Sequence, residues 1–275
     1  MTELLTRAIP STGERIPAIG LGTWQTFDVG PSAHDRAPLA GVLRELVASG
    51  ARVVDSSPMY GRAEEVLGAL AAEQGLRDRL FVATKVWTTG RREGVAQMED
   101  SFRKLRVEHV DLLQVHNLLD VDAQLATLRD WQAAGRVRYV GVTHYRAEAH
   151  AAVMRAIEVH APDVVQINYS VREREAERRL LPLARERGVA VLVNRPFAEG
   201  ALLRRLAARP LPPWAAELAC ESWAQLLLKF VLGHDAVTCV IPATSSVTHL
   251  RDDLRAATGP MPDAEMRERI ARAAA

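Results

Sequence analysis

Cysteine is scarce: Cys220 and Cys239 are the only two in 275 residues, and both fall in apolar segments. A disulfide framework is excluded, and buried thiols in a reducing compartment are the expectation. Charge of one sign is also lacking. The 35 Lys and Arg against 34 Asp and Glu leave a formal net charge of +1, so no basic face for nucleic acid is implied. No run reaches the roughly 18 consecutive apolar residues of a membrane span, and Met1 to Pro10 have no apolar stretch of the signal-peptide kind. The expectation is a cytoplasmic protein without membrane or nucleic-acid partners. His34, His109, His150, His160 and His234 lack metal-ligand spacing, so no metal site is expected. Finally, Gly20-Leu21-Gly22 is followed by Thr23-Trp24-Gln25, so the third glycine of the phosphate-binding fingerprint of doubly wound sheets is missing.

What is present is an alternation. Apolar, strand-like runs occur near 18–23, 52–56, 80–85, 110–116, 139–143, 164–169, 189–194 and 238–243, with helical patterns between them. Val95, Met98, Phe102 and Leu105 mark one helix by their spacing, and Val121, Leu125, Leu128 and Trp131 mark the next. Gly50, Gly75, Gly135, Gly188 and Gly233 punctuate helix ends. Eight strands alternating with helices over roughly 250 residues predict an α/β chain folded as a (β/α)8 TIM barrel. Leu5 to Ile9 and Arg15 to Ile19, flanking Ser11-Thr12-Gly13, predict an N-terminal β-hairpin that caps the barrel bottom. With no linker or low-complexity segment, residues 1–275 read as a single domain. A long helix is expected over 214–232, with Trp223 in the core, and a polar final helix near 263–274 outside the barrel.

Three consecutive runs end on chemistry. Arg52-Val53-Val54 stops at Asp55, with Tyr60 five residues on; Leu80 to Thr84 ends on Lys85; Val110 to Val115 ends on His116. If the strands are parallel neighbours, an acid, a phenol, an amine and an imidazole converge at the rim where such sheets place their sites. Asp55 would hold Lys85 charged, the ammonium would lower the phenol's pKa, and His116 would donate to a substrate oxygen. Together they describe a general acid for an oxygen that gains negative charge, and a reduction would need a cofactor. The plainer alternative is a structural Asp55–Lys85 ion pair with a hydrogen-bonded core histidine.

These motifs resemble the aldo-keto reductase family over essentially the whole chain: Gly20-Leu21-Gly22-Thr23-Trp24, Asp55-Ser56-Ser57-Pro58-Met59-Tyr60-Gly61, Thr84-Lys85-Val86-Trp87 and Asp111-Leu112-Leu113-Gln114-Val115-His116. The resemblance implies NAD(P)H-dependent reduction of aldehydes or ketones, with NADP(H) or NAD(H) as cofactor and a small carbonyl or alcohol as substrate. Tyr60 would be the proton donor, Lys85 and Asp55 its tuning pair, and His116 the carbonyl-orienting group. Trp24, Tyr60, Trp87, His116 and Asn117 would face the substrate; Trp24, Phe27 and Trp87 are read as an aromatic substrate wall, with packing of loops on the barrel top as the less favoured alternative. The cofactor site would draw on Gly22, Thr23, Trp24 and Asp55, then on Thr143, His144 and Gln166. The family's Tyr-Ser-Pro-Leu segment reads Asn194-Arg195-Pro196-Phe197, so a stacking aromatic is absent and Arg195 would meet an anion or a rim carboxylate. Ile241, Thr244, Ser245, Ser246, His249, Asp252 and Asp253 form the segment that resembles the cofactor-phosphate loop. Ala243 and His249 stand where relatives that prefer NADP carry Lys and Arg. The family also implies a monomer or weak oligomer. Two rivals remain at this stage: a cofactor-binding module with vestigial catalysis, and a barrel lyase using Lys85 as a Schiff-base amine. The short Asn117-Leu118-Leu119-Asp120 connection predicts an open, shallow pocket.

Overall fold

The computed structural model describes residues 3–275; Met1 and Thr2, at the head of the expected domain, lie outside the described residues. Two short strands, β1 (Thr6–Ala8) and β2 (Arg15–Pro17), pair antiparallel as the expected hairpin. Eight parallel strands follow: β3 (Leu21–Gly22), β4 (Val53–Asp55), β5 (Phe81–Val86), β6 (Val110–His116), β7 (Val137–His144), β8 (Val164–Asn168), β9 (Ala190–Asn194) and β10 (Cys239–Val240). They pair in sequence order, and parallel bridges Ile19–Val240 and Gly22–Ala243 join the first strand to the last, so the sheet closes. Closure is tight at Gly20, where a Cβ would stand 2.7 Å from the Val53 carbonyl oxygen.

Helices α1 (Ala33–Ala48), α2 (Ala63–Glu73), α3 (Arg91–Leu105), α4 (Val121–Ala133), α5 (His150–His160) and α6 (Leu180–Glu186) each follow a barrel strand. Between β9 and β10 come α7 (Ala201–Leu206) and α8 (Trp223–Leu232), and after β10 come α9 (Val247–Arg255) and α10 (Ala264–Ala274). The helix expected over 214–232 is two pieces. Pro213–Leu218 forms a 3₁₀ turn, Ala219 adopts a left-handed φ of 52°, and Ser222 starts α8 by accepting from the Gln225 backbone N–H. A left-handed residue cannot continue a right-handed helix. Gly233, read as a left-handed terminator, instead has φ of −70°.

Strand alternation sorts the barrel into two sides. Val54, Val82, Leu113, Val140, Val165 and Val191 face outward into the helix layer. Val53, Phe81, Leu112, Tyr139, Val164 and Leu192 point inward, and Ile9 and Ile16 of the hairpin join them as a plug. Thr12 and Glu14 bind the Tyr139 hydroxyl at 2.7 and 2.6 Å, which seats the hairpin on the barrel bottom. The same period-two positions change character toward the strand ends. Val53 is followed inside by Asp55, Ala83 by Lys85, Leu112 by Gln114 and His116, Gly141 by Thr143, Val164 by Gln166, and Leu192 by Asn194. One interior face is therefore apolar below and polar on top.

Candidate active site

The polar end opens into a cleft of about 900 Å³. At its floor Lys85 is fully buried, and its Nζ donates to Asp55 Oδ2 at 2.6 Å and to the Ser56 carbonyl at 2.7 Å. Burial opposes the ammonium, but Asp55 and, behind it, the Tyr60 phenol together outweigh that and hold the Lys85 pKa above its ordinary value. Asp55 is itself buried and clamped: Gln114 and Gln166 donate to its other oxygen at 3.2 and 2.8 Å. Thr143 and Asn194 donate to the Gln166 carbonyl oxygen at 3.2 and 3.3 Å, so the amide orientation is set from both sides. Gly141 makes room for this belt, since a Cβ there would lie 3.0 Å from Gln114 Cγ.

Tyr60 reaches the floor from the loop after β4. Its backbone N–H closes a turn on the Ser57 carbonyl at 3.0 Å, and Asp28 accepts from the Arg62 N–H at 2.9 Å. Gly61 takes φ of 59° against the Asp28 carboxylate, where a Cβ would collide at 2.3 Å. Lys85 Nζ stands 4.9 Å from the Tyr60 ring centroid, and His116 packs edge-on to that ring at 6.0 Å. The expectation of a lowered phenol pKa is corrected here. Burial raises it, the Lys85 charge opposes that rise and Asp55 adds to it, and the net shift is upward. The phenol therefore stays protonated at neutral pH, as a proton donor must. Burial and the Lys85 charge push His116 down to about 3, so its imidazole is neutral.

The structure brings most of the expected residues to this cleft. Gly22, Thr23 and Trp24 line it beside Asp55, Tyr60, His116 and Asn117. Thr143, Gln166, Asn194, Arg195, Pro196 and Phe197 continue the wall, and Ile241, Thr244, His249, Asp252 and Asp253 line its far part. Besides Lys85, which is buried beneath it, other expected residues stand apart from the lining. His144 stacks on Tyr145 at 5.5 Å, and its Nδ1 accepts from the Arg146 N–H at 3.2 Å. Trp87 is exposed beside the rim, its backbone bound to Gln97. Ser246 caps α9 by accepting from the His249 N–H, and Ser245 precedes it. Phe27 is fully buried, which makes it core rather than substrate wall.

Several residues in or beneath the cleft escaped the sequence reading. Trp223 was expected in the core but lines the cleft, its indole N–H donating to the Arg209 carbonyl at 2.9 Å. Tyr145, next to His144, supplies an aromatic wall held by Arg195, which donates to the Tyr145 carbonyl at 3.0 Å and pairs with Glu199 at 3.0 Å. Gln114 was legible in principle, because it lies two residues before His116 on the same strand face. Ser57 carried no comparable signal.

The chain matches the model of the aldo/keto reductase family over residues 18–272. It belongs to that family. Its relatives include the aldo-keto reductase YhdN of Bacillus subtilis, 27% identical over 72% of this chain and 64% of that protein, so the match spans less than two thirds of that relative's length. An aldo-keto reductase of Mycobacterium sp. strain KMS is 32% identical over 79% of this chain and 76% of its own. Among solved structures, an aldo/keto reductase of Klebsiella pneumoniae in complex with NADP and acetate superposes with a TM-score of 0.81 at 26% identity, covering 99% of this chain and 95% of that one. As a member of the family the protein is an oxidoreductase that uses a nicotinamide cofactor, and the cleft offers groups that suit one. Asn194 Oδ1 and Arg195 Nε are buried in its wall without a partner among the described residues. Thr244 lines the cleft just before the N-terminus of α9, which Ser246 caps, and backbone N–H groups at a helix start suit a phosphate.

Proposed function

We propose that this enzyme reduces small aldehydes or ketones to alcohols with NADPH or NADH, residues 1–275 acting as one domain. The observation that carries the reading is the convergence of Asp55, Lys85, Tyr60 and His116 at one end of the barrel interior. The cofactor supplies hydride to the carbonyl carbon when bound. Asn194 and Gln166 would hold its carboxamide, and Thr244 with the α9 N-terminus would hold its phosphates. Tyr60 gives its phenolic proton to the carbonyl oxygen, which gains negative charge as the carbon is reduced. Lys85, kept charged by Asp55, offsets the phenolate left behind. His116, neutral throughout the physiological range, orients the carbonyl as a hydrogen-bond donor. The NADP bound in the Klebsiella pneumoniae relative supports the cofactor assignment. A Schiff-base lyase would need Lys85 unprotonated and unpaired, and the 2.6 Å ion pair opposes that.

A spectrophotometric panel of aldehydes and ketones with both cofactors tests the reading. The Tyr60→Phe variant should bind NADPH within about twofold of wild type and lose at least about 100-fold in turnover, the scale of general acid catalysis. Near-normal turnover by that variant would remove Tyr60 from the mechanism.

A further inference from the structure

The geometry points to Ser57 as a positioning residue that fixes His116 in the Nε2–H tautomer, so that its cleft-facing nitrogen presents a donor to the substrate oxygen. This rests on the reductase reading above. Ser57 is fully buried, and its Oγ lies 3.1 Å from His116 Nδ1. The Met59 backbone N–H donates to the same Oγ at 3.2 Å. A serine hydroxyl has one hydrogen to give and two lone pairs. With Met59 already donating to it, the hydroxyl can send its own hydrogen only to Nδ1, the one other side-chain partner it has among the described residues. The reverse arrangement, Nδ1–H donating to Oγ, would leave a buried O–H unpaired, which is costly. An unprotonated Nδ1 in a neutral imidazole places the hydrogen on Nε2.

The serine backbone is held on both sides. Ser56 donates to the Ala83 carbonyl at 2.9 Å and accepts from Lys85 Nζ at 2.7 Å; Tyr60 N–H closes on the Ser57 carbonyl at 3.0 Å. Pro58 follows and disfavours a helical Ser57. The hydroxyl is thus aimed by the same loop that delivers Tyr60. Were the tautomer reversed, Nε2 would turn a lone pair toward the carbonyl oxygen and the orienting interaction would become repulsive.

The test uses the whole enzyme labelled with ¹⁵N-histidine, the His116 resonances being identified by their loss in His116→Asn. In wild type, Nδ1 should resonate as an unprotonated nitrogen and Nε2 as a protonated one. Ser57→Ala should mix the tautomers and lower kcat by up to about twofold, the loss when removing a neutral hydrogen bond's roughly tenfold bias leaves about half the imidazoles in the wrong tautomer, with the NADPH Kd unchanged. Ser57→Thr, which keeps the hydroxyl, should restore both readouts. A protonated Nδ1 in wild type overturns the proposal, as does a Ser57→Ala enzyme with wild-type tautomer and kcat. If Ser57→Ala does not fold, the wild-type spectrum and Ser57→Thr decide. A wild-type enzyme with the Nε2–H tautomer and no reductase activity would sink the functional reading and leave the tautomer assignment standing.

Discussion

Replacing Asp55 by Asn removes the charge 2.6 Å from Lys85 Nζ and keeps the side-chain shape. The ammonium then stays fully buried, with the Ser56 carbonyl at 2.7 Å as its remaining bonded backbone oxygen. Breaking a buried ion pair by removing one partner costs roughly 3–5 kcal/mol. The retained carbonyl and the amide oxygen place the expected loss near the lower end, about 3 kcal/mol. At roughly 2–4 °C per kcal/mol for chains near this size, that is a Tm drop of about 6–12 °C. The pH dependence supplies the sharper test. In wild type the Lys85 pKa is held above its ordinary value, so its contribution is complete at neutral pH and is lost only as pH climbs past about 10.4. In the variant, burial acts without Asp55 and depresses the Lys85 pKa. The unfolded chain then binds more protons than the folded one, and stability rises with pH by up to about 1.36 kcal/mol per unit. Guanidinium unfolding at pH 7 and pH 9 should therefore show a deficit that shrinks at the higher pH. A deficit below about 1 kcal/mol, or one equal at both values, would refute the claim that this pair holds a buried charge.

His116 gives the opposite limb. Its imidazole is pushed down to about 3 in the fold, so it stays neutral while the unfolded chain takes up a proton below about 6.5; wild-type stability should fall as pH drops through that window. His116→Asn should lose less stability than wild type between pH 6 and pH 4, and parallel curves would contradict the assignment. On α9, Arg251 is paired with Glu45 at 2.8 Å and Arg255 with Glu221, and neither lines the cleft. Arg251→Ala and Arg255→Ala should each change the NADPH Kd by less than about threefold, and NADPH should be preferred over NADH by less than the roughly hundredfold that a charged hydrogen bond can supply. A large loss in either variant, measured by fluorescence titration, would identify the missing cationic partner.

The sequence by itself determined the strand order and the chemistry at the strand ends. Apolar runs ending on Asp55, Lys85 and His116 needed only parallel pairing in order to meet, and right-handed βα connections make that pairing the natural one. The hairpin was equally legible, because Ser11-Thr12-Gly13 separates two apolar stretches whose Ile9 and Ile16 fill the barrel bottom. What the tertiary structure alone decided depends on distance and burial, which no local pattern encodes. The Tyr60 pKa is one case: the ammonium beside it suggested a fall, and desolvation in the fold produced a rise. Trp223 is another, its helical spacing suggesting core until Ala219 broke the expected helix and the shortened α8 turned the indole to the cleft. The amide belt of Gln114, Gln166 and Asn194 around Asp55 and the contact of Ser57 with His116 join strands and loops 28 to 111 residues apart. A side chain's hydrogen-bond partner is chosen by where closure of the barrel puts it, and only the closed barrel brings those groups within reach of one another.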